Sequence, residues 1–335
     1  MGFWNRFTPL VMVAALAACD SVPTQADDAG EALFKKPPKP PDGGEESTLN
    51  PELAFHNAGA LLVMNSDGSG RTEILQNDCS HSESSWAPTG DGTAGDPYRI
   101  INWGTWASCL PMRVASFDTV GGTINVSSIV EIHVVGSSDT NLFGAPAWSP
   151  GPGNEIALGS DWLNASTNEW ESAIFVIASA DLPSPTPELV YDPPPLCDVD
   201  SPTWNRDGSG IAFREVCPGS GQRILLVDRA SGDISIVVPF GVFDDISTFD
   251  WARTSEALAV TSLVPVRRGS EARVFLLDLD VGSPQFLVSG FGPTWSPDDT
   301  QLAFHYGTKR KVQTIDVATG NVSVVGSGEL PDWRR

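Results

Sequence analysis

The chain has 335 residues, a formal net charge of −22 and a sequence pI near 4.3. So acidic a surface argues against nucleic acid as a partner and against adsorption to anionic lipid, since both carry the same sign of charge. With 41% hydrophobic residues, 32 glycines and 27 prolines, the composition suits a sizeable core divided by many turns.

In chain order, Arg6 precedes an apolar run from Phe7 to Ala18 that is broken only by Thr8 and Pro9. Spanning a bilayer takes about 20 apolar residues, so the run reads as the h-region of a signal peptide over residues 1–18. It ends in Leu16-Ala17-Ala18-Cys19, which resembles the bacterial lipobox: an aliphatic residue, two small residues and the cysteine that takes the lipid. Cys19 is therefore expected to be the lipidated mature N-terminus, fixing the protein to a membrane of the bacterial envelope on its periplasmic or extracellular side. The alternatives are an ordinary secretory signal with an incidental cysteine and a short uncleaved anchor. Asp20 resembles the inner-membrane retention signal of enterobacteria, and the choice of membrane stays open. Residues 19–50, with Lys35-Lys36-Pro37-Pro38-Lys39-Pro40-Pro41, are too polar and proline-rich to bury a core and read as a flexible tether.

From Pro51 onward a unit built on tryptophan recurs. Its clearest copies are Ser201-Pro202-Thr203-Trp204-Asn205-Arg206-Asp207-Gly208-Ser209-Gly210-Ile211-Ala212-Phe213 and Gly292-Pro293-Thr294-Trp295-Ser296-Pro297-Asp298-Asp299-Thr300-Gln301-Leu302-Ala303-Phe304. Further copies surround Trp86, Trp148 and Trp251. Each reads as a strand ending at Trp, a Pro/Asp/Gly turn and a small, apolar strand, with two more strands following. Examples of the latter are 223–228 with 234–238 and 312–316 with 322–325. Four antiparallel strands per unit describe propeller blades.

The ends supply the blade count. The chain finishes on Leu330-Pro331-Asp332-Trp333, a first strand without a second, while Glu52-Leu53-Ala54-Phe55-His56 matches Gln301-Leu302-Ala303-Phe304-His305. The start should therefore provide strands two to four of a blade whose first strand is the end of the chain, closing the ring and removing its open sheet edges. The expected fold is all-β: one domain over residues 51–335, a six-bladed propeller of four-stranded antiparallel blades, monomeric. Its tryptophans should pack between blades. The Asp67 and Asp207 stretches, which lack the later acidic ligand of a calcium loop, should be hairpin turns.

These units resemble the propeller repeats of the TolB family, in which a Pro-x-Trp-Ser-Pro-Asp-Gly turn leads into an Ile-Ala-Phe strand. The resemblance covers about Pro51 to Trp333 and implies the propeller fold. Members of that family are periplasmic proteins with an additional α/β domain before the propeller, for which this chain leaves no room.

Four cysteines follow Cys19, and export favours oxidation. Cys79 and Cys197 each lie seven residues before a blade tryptophan, and Cys109 and Cys217 each fall between the second and third strands of the same blades. In a four-strand meander those two connections share one end of the sheet, so Cys79 with Cys109, and Cys197 with Cys217, are expected as disulfides. The competing reading, a metal site, lacks Cys-x-x-Cys spacing. His56, His81, His133 and His305 are scattered, and no metallopeptidase, nucleophile-elbow or phosphate-loop motif occurs. No metal or cofactor is expected.

The most unusual loops fall on that same end. Trp103 and Trp106 lie in one, and Asp161, Trp162, Glu169, Trp170 and Glu171 in another. Arg267 and Arg268, then Lys309 and Arg310, form basic clusters that are scarce in this chain. The pattern suggests a bipolar face, acidic and aromatic on one side and basic on the other, that binds an envelope protein, for which aromatic and arginine anchors are typical. Two alternatives remain: a propeller hydrolase or lyase using acids such as Asp161, Glu169 or Glu171 at the channel mouth, and a purely structural lipoprotein. A polar funnel with a perturbed carboxylate would favour the enzyme.

Overall fold

A computed structural model describes residues 49–76, 82–104, 112–134, 141–151, 153–164, 169–307 and 310–334, with only the backbone described at 82, 104, 141–145, 162–164 and 169–170. Twenty-four strands form six four-stranded antiparallel sheets, and no α-helix occurs among the described residues. The inner strands are Ser82–Trp86, Asn141–Trp148, Asp198–Trp204, Ile246–Trp251, Phe291–Trp295 and Glu329–Trp333. All six line one central channel of about 140 Å³. Numbering blades from the one that holds the start of the folded chain, these belong to blades 2, 3, 4, 5, 6 and 1.

The expected closure is observed. The C-terminal strand pairs with Leu53–Asn57 in the register Leu53 to Trp333 and Ala54 to Asp332, so blade 1 takes its innermost strand from the far end of the chain. Blade 1 therefore needs both ends of the folded chain to complete its four strands.

Each tryptophan marks a blade boundary because it is the largest apolar group at the point where two sheets converge. Trp86 packs with Leu61 and Val63 of blade 1, Trp148 with Ile101 and Val114 of blade 2, and Trp204 with Ile174 of blade 3. Trp251, Trp295 and Trp333 repeat this against Ala212, Ala259 and Ala303 of the preceding blades. All six are at most 3% exposed. The alanine of the repeat is explained by the same packing: it faces an indole and leaves it room.

A second regularity lies one residue earlier. The backbone N–H of four of the six tryptophans finds the side chain that precedes the tryptophan of the previous blade. Trp148 donates to Ser85 Oγ at 2.9 Å, Trp86 to Asp332 Oδ2 at 3.2 Å, Trp295 to Asp250 Oδ2 at 2.9 Å and Trp333 to Thr294 Oγ1 at 3.4 Å. This ring of short polar side chains satisfies amides that would otherwise be orphaned around the channel.

The turns after the tryptophans join neighbouring blades as well. Asp207 accepts from Ser209 N at 2.9 Å, the hairpin expected there rather than a metal loop, and Asp67 repeats it with Ser69 N at 2.8 Å. Gly208 adopts a positive φ of 73°, and a Cβ on it would press within 3.0 Å of Gly151 N and Ser149 Oγ of blade 3. Asp299 of blade 6 accepts from Arg253 N, Thr254 N and Ser255 N of blade 5 at 2.6, 2.7 and 3.1 Å.

His56 and His305 occupy matching positions, as expected. His305 Nδ1 accepts from Leu330 N at 3.2 Å. His56 is 3% exposed, and burial pushes its imidazole down to about 3, so it is neutral in the folded protein.

Candidate functional site at the loop end of the channel

Antiparallel pairing divides the ring into two ends. At the turn end the inner strands finish in tryptophan. At the loop end they begin, beside the hairpins that join second to third strands. The chain enters at the turn end, where Asn50 N donates to Asn65 Oδ1 at 2.9 Å and Asn50 Oδ1 accepts from Arg334 Nη2 at 2.9 Å.

Two contacts tie the loop end together. Cys197 and Cys217 form the expected disulfide between the entry to blade 4 and its second strand. Arg310 Nη1 lies 2.7 Å from Glu329 Oε1, linking blade 6 to the start of the closing strand. The longest hairpins of the protein rise on either side of blade 4. In blade 3, Glu155–Asn164 pairs with Glu169–Ala178 over ten residues each, and in blade 5, Ala257–Val266 pairs with Gly269–Asp278, also ten each.

The residues singled out in the sequence distribute unevenly. Arg267 and Arg268 sit exposed at the tip of the blade 5 hairpin with no ion pair to any described residue. Arg310 is exposed but committed to Glu329. Asp161 is exposed on the blade 3 hairpin, whose backbone also carries Trp162 and Trp170, while the side chains of those two lie outside the described part. Trp103 is partly buried against the cluster between blades 2 and 3, so it packs beneath its loop. Cys19, Cys79, Trp106, Cys109 and Lys309 lie outside the described residues.

The structure adds acids around the mouth that the sequence reading did not single out. Glu83 begins the inner strand of blade 2 and lines the channel. Burial, with Asp200 nearby, pushes its carboxyl up to about 7. Asp161, though its surface is exposed, has its carboxyl raised by partial loss of hydration among the surrounding strands and then by repulsion from Asp198 and Asp200, and Asp198 is raised in the same way by partial loss of hydration and by Asp200. Asp200 is compensated: Arg214 Nε donates to its Oδ1 at 2.7 Å, and the rest of that guanidinium reaches Asp200 Oδ2 and the Ile246 carbonyl. The missed signal was positional. Glu83 stands three residues before its tryptophan, and Asp198 and Asp200 stand six and four before theirs, where a first strand begins at the axis.

Among the described residues one group of ligand-type side chains converges, and a metal does not fit it. Cys197, Glu215 and Cys217 bring their ligand atoms within 4.8 Å of one another. The two sulfurs are bonded to each other, however, and Glu215, wholly buried, is held by Arg223 and by Tyr191 OH at 2.7 Å.

No protein-family model matches the chain, and no curated protein matches it. Among solved structures, TolB from Acinetobacter baumannii is 15% identical with a TM-score of 0.57, covering 87% of this chain and 67% of that one. The fold is that of the TolB propeller. This TolB-type ring is also similar to a chain of the nidogen/laminin complex, 10% identical with a TM-score of 0.60, covering 85% of this chain and 99% of that one. A puromycin hydrolase in complex with PGG is 13% identical with a TM-score of 0.50, covering 81% of this chain but 44% of that one. At these identities the likeness carries the architecture alone, because propellers host unrelated activities.

Proposed function

We propose that the protein is a lipid-anchored binding module of the bacterial envelope that engages a partner protein through the loop end of its ring and carries out no reaction of its own. The observation that supports this most is the asymmetry of the two ends. The turn end is short and regular, whereas the loop end raises two long hairpins, an acidic channel mouth and a free pair of arginines. The first described residues, Leu49 and Asn50, lie at the opposite end, where Asn50 N donates to Asn65 Oδ1. The Cys197–Cys217 bond fits an oxidising compartment. The nidogen/laminin complex contains a propeller of this shape in a protein–protein assembly.

The test is affinity capture from envelope extract using the mature chain and a variant with Trp106, Trp162, Arg267 and Arg310 all changed to Ala. A partner retained by the first and lost by the second, with unchanged thermal unfolding, supports the reading, and identical captures sink it. In parallel, Cys19→Ser should abolish palmitate labelling and release the protein from membranes.

The raised carboxyls of Glu83, Asp161 and Asp198 favour a second reading, a hydrolase or lyase acting at the channel mouth. It ranks second because a mouth that must attract a charged group also needs acids, and the binding reading accounts for the hairpins besides.

A further inference from the structure

We propose that the loop-end mouth of the channel receives one basic side chain, an arginine or lysine borne on a protruding segment of the partner protein. This rests on the binding reading above and specifies what the ring recognises.

Blades 3 and 4 bring Asp161, Asp198 and Asp200 to the mouth, and the one guanidinium among them, Arg214, is occupied by Asp200 and the Ile246 carbonyl. Independently of that cluster, blade 2 contributes an enclosed and unpartnered side chain. Glu83 lines the channel, protein surrounds it with only a fraction of its surface open to the cavity, and no described group donates to its carboxylate. Ser84 Oγ, in the same lining, is buried and unpaired. Native interiors satisfy nearly all such atoms, and an enclosed carboxylate without a donor is among the costliest exceptions. An unmet carboxylate and an unmet hydroxyl, adjacent in the channel lining, point to a ligand that carries donors and positive charge.

Geometry selects the kind of cation. Calcium gathers six to eight oxygens at roughly 2.3–2.6 Å, yet no three described residues of this mouth bring carboxylate oxygens within 4.8 Å of one another. Spread carboxylates suit a cation that is itself extended. A guanidinium offers five N–H donors in a plane on a long stem, and an ammonium offers three. A channel of about 140 Å³ admits such a head group but no folded element. The site should therefore prefer a side chain displayed on a loop or a free end.

The experiment titrates the mature protein calorimetrically with a capped Gly-Gly-Arg-Gly-Gly peptide, its lysine-centred and glutamine-centred counterparts, and calcium chloride alone. The arginine or lysine peptide should bind, the glutamine peptide should not, and affinity should fall with added salt. Glu83→Gln should weaken binding about tenfold or more, since removing one member of an enclosed charge pair leaves the other unmatched, and Asp161→Asn should weaken it less. Thermal unfolding guards against misfolding: Glu83→Gln should be at least as stable as the parent, so weaker binding cannot be ascribed to a damaged ring. Equal binding of the arginine and glutamine peptides, an unaffected Glu83→Gln variant, or calcium binding that requires Glu83 would each overturn the proposal. If the mouth fails these tests while the four-residue loop variant still loses its partner, the inference about the channel falls and the binding reading stands.

Discussion

The turn end and the loop end of this ring are made from the same strands and obey opposite rules. At the turn end contacts recur from blade to blade: a tryptophan against an alanine, a tryptophan amide on a short polar side chain of the previous blade, an aspartate turn against its neighbour. Interactions of that kind are set by a short unit that recurs from blade to blade, so the end is uniform. At the loop end the contacts are made once each, between Cys197 and Cys217, Arg214 and Asp200, Arg310 and Glu329. Regularity marks where the molecule is held together, and its absence marks where the molecule is free to differ from other propellers.

That contrast is open to attack first at the turn end. Trp333 is 3% exposed, packs against Leu53 and Phe55, and belongs to the strand that closes the ring. Trp333→Ala should cost about 3–5 kcal/mol through the cavity it leaves. The loss should show in equilibrium denaturation as a lower midpoint, and loosening of blade 1 should show as faster hydrogen exchange in Leu53–Asn57. A drop below about 1 kcal/mol would mean that closure contributes little and that the ring is held blade by blade.

The loop end should respond more weakly and in a single blade. Replacing Cys197 and Cys217 together by serine opens a loop with a sequence separation of 20. By chain entropy this should cost about 3 kcal/mol, and reduction by dithiothreitol should reproduce it. Because the bond lies in blade 4 alone, exchange in blades 1 and 6 should be unaltered at temperatures where the variant remains folded. Equal loosening all round would erase the distinction between a shared scaffold and local loops.

How much could be read in advance follows from the same contrast. The fold was legible because its determinants are local and repeated six times: tryptophan spacing, turn residues, the match of 52–56 to 301–305. Even the Cys197–Cys217 bond could be inferred, since the meander dictates which connections share an end. The site was only half legible. Arg267 and Arg268 stood out as rare charges in an acidic chain, and they are exposed as expected. Glu83, Asp198 and Asp200 did not, because an acid near the start of a strand is unremarkable until the ring brings blades 2 and 4 to one axis. Trp103 could be read either way, as an anchor or as packing beneath its loop, and it packs inward.

The smallest expected effect carries the sharpest sign. Glu83 has its carboxyl raised by burial from 4.5 to about 7, so the folded state binds this proton more tightly than the unfolded chain. Its ionisation therefore destabilises the protein: stability falls as pH rises from about 4.5 to 7, and above 7 the full cost is present. His56, lowered from 6.5 to about 3 by burial, acts the other way, since its stability contribution is full above 6.5 and is lost as pH falls toward 3. Between 4.5 and 6.5 the two slopes oppose, which would hide both in the parent protein. Glu83→Gln removes one of them. The variant should exceed the parent in unfolding free energy by about 1–3 kcal/mol above pH 7, discounted for water in the channel, and the gain should vanish below pH 4.5. If the variant is instead less stable at pH 8, Glu83 has a partner that supports the ring, and the loop end is scaffold like the turn end. If the gain appears as described, this acid is held against the preference of the fold, as expected of a group kept for something outside it.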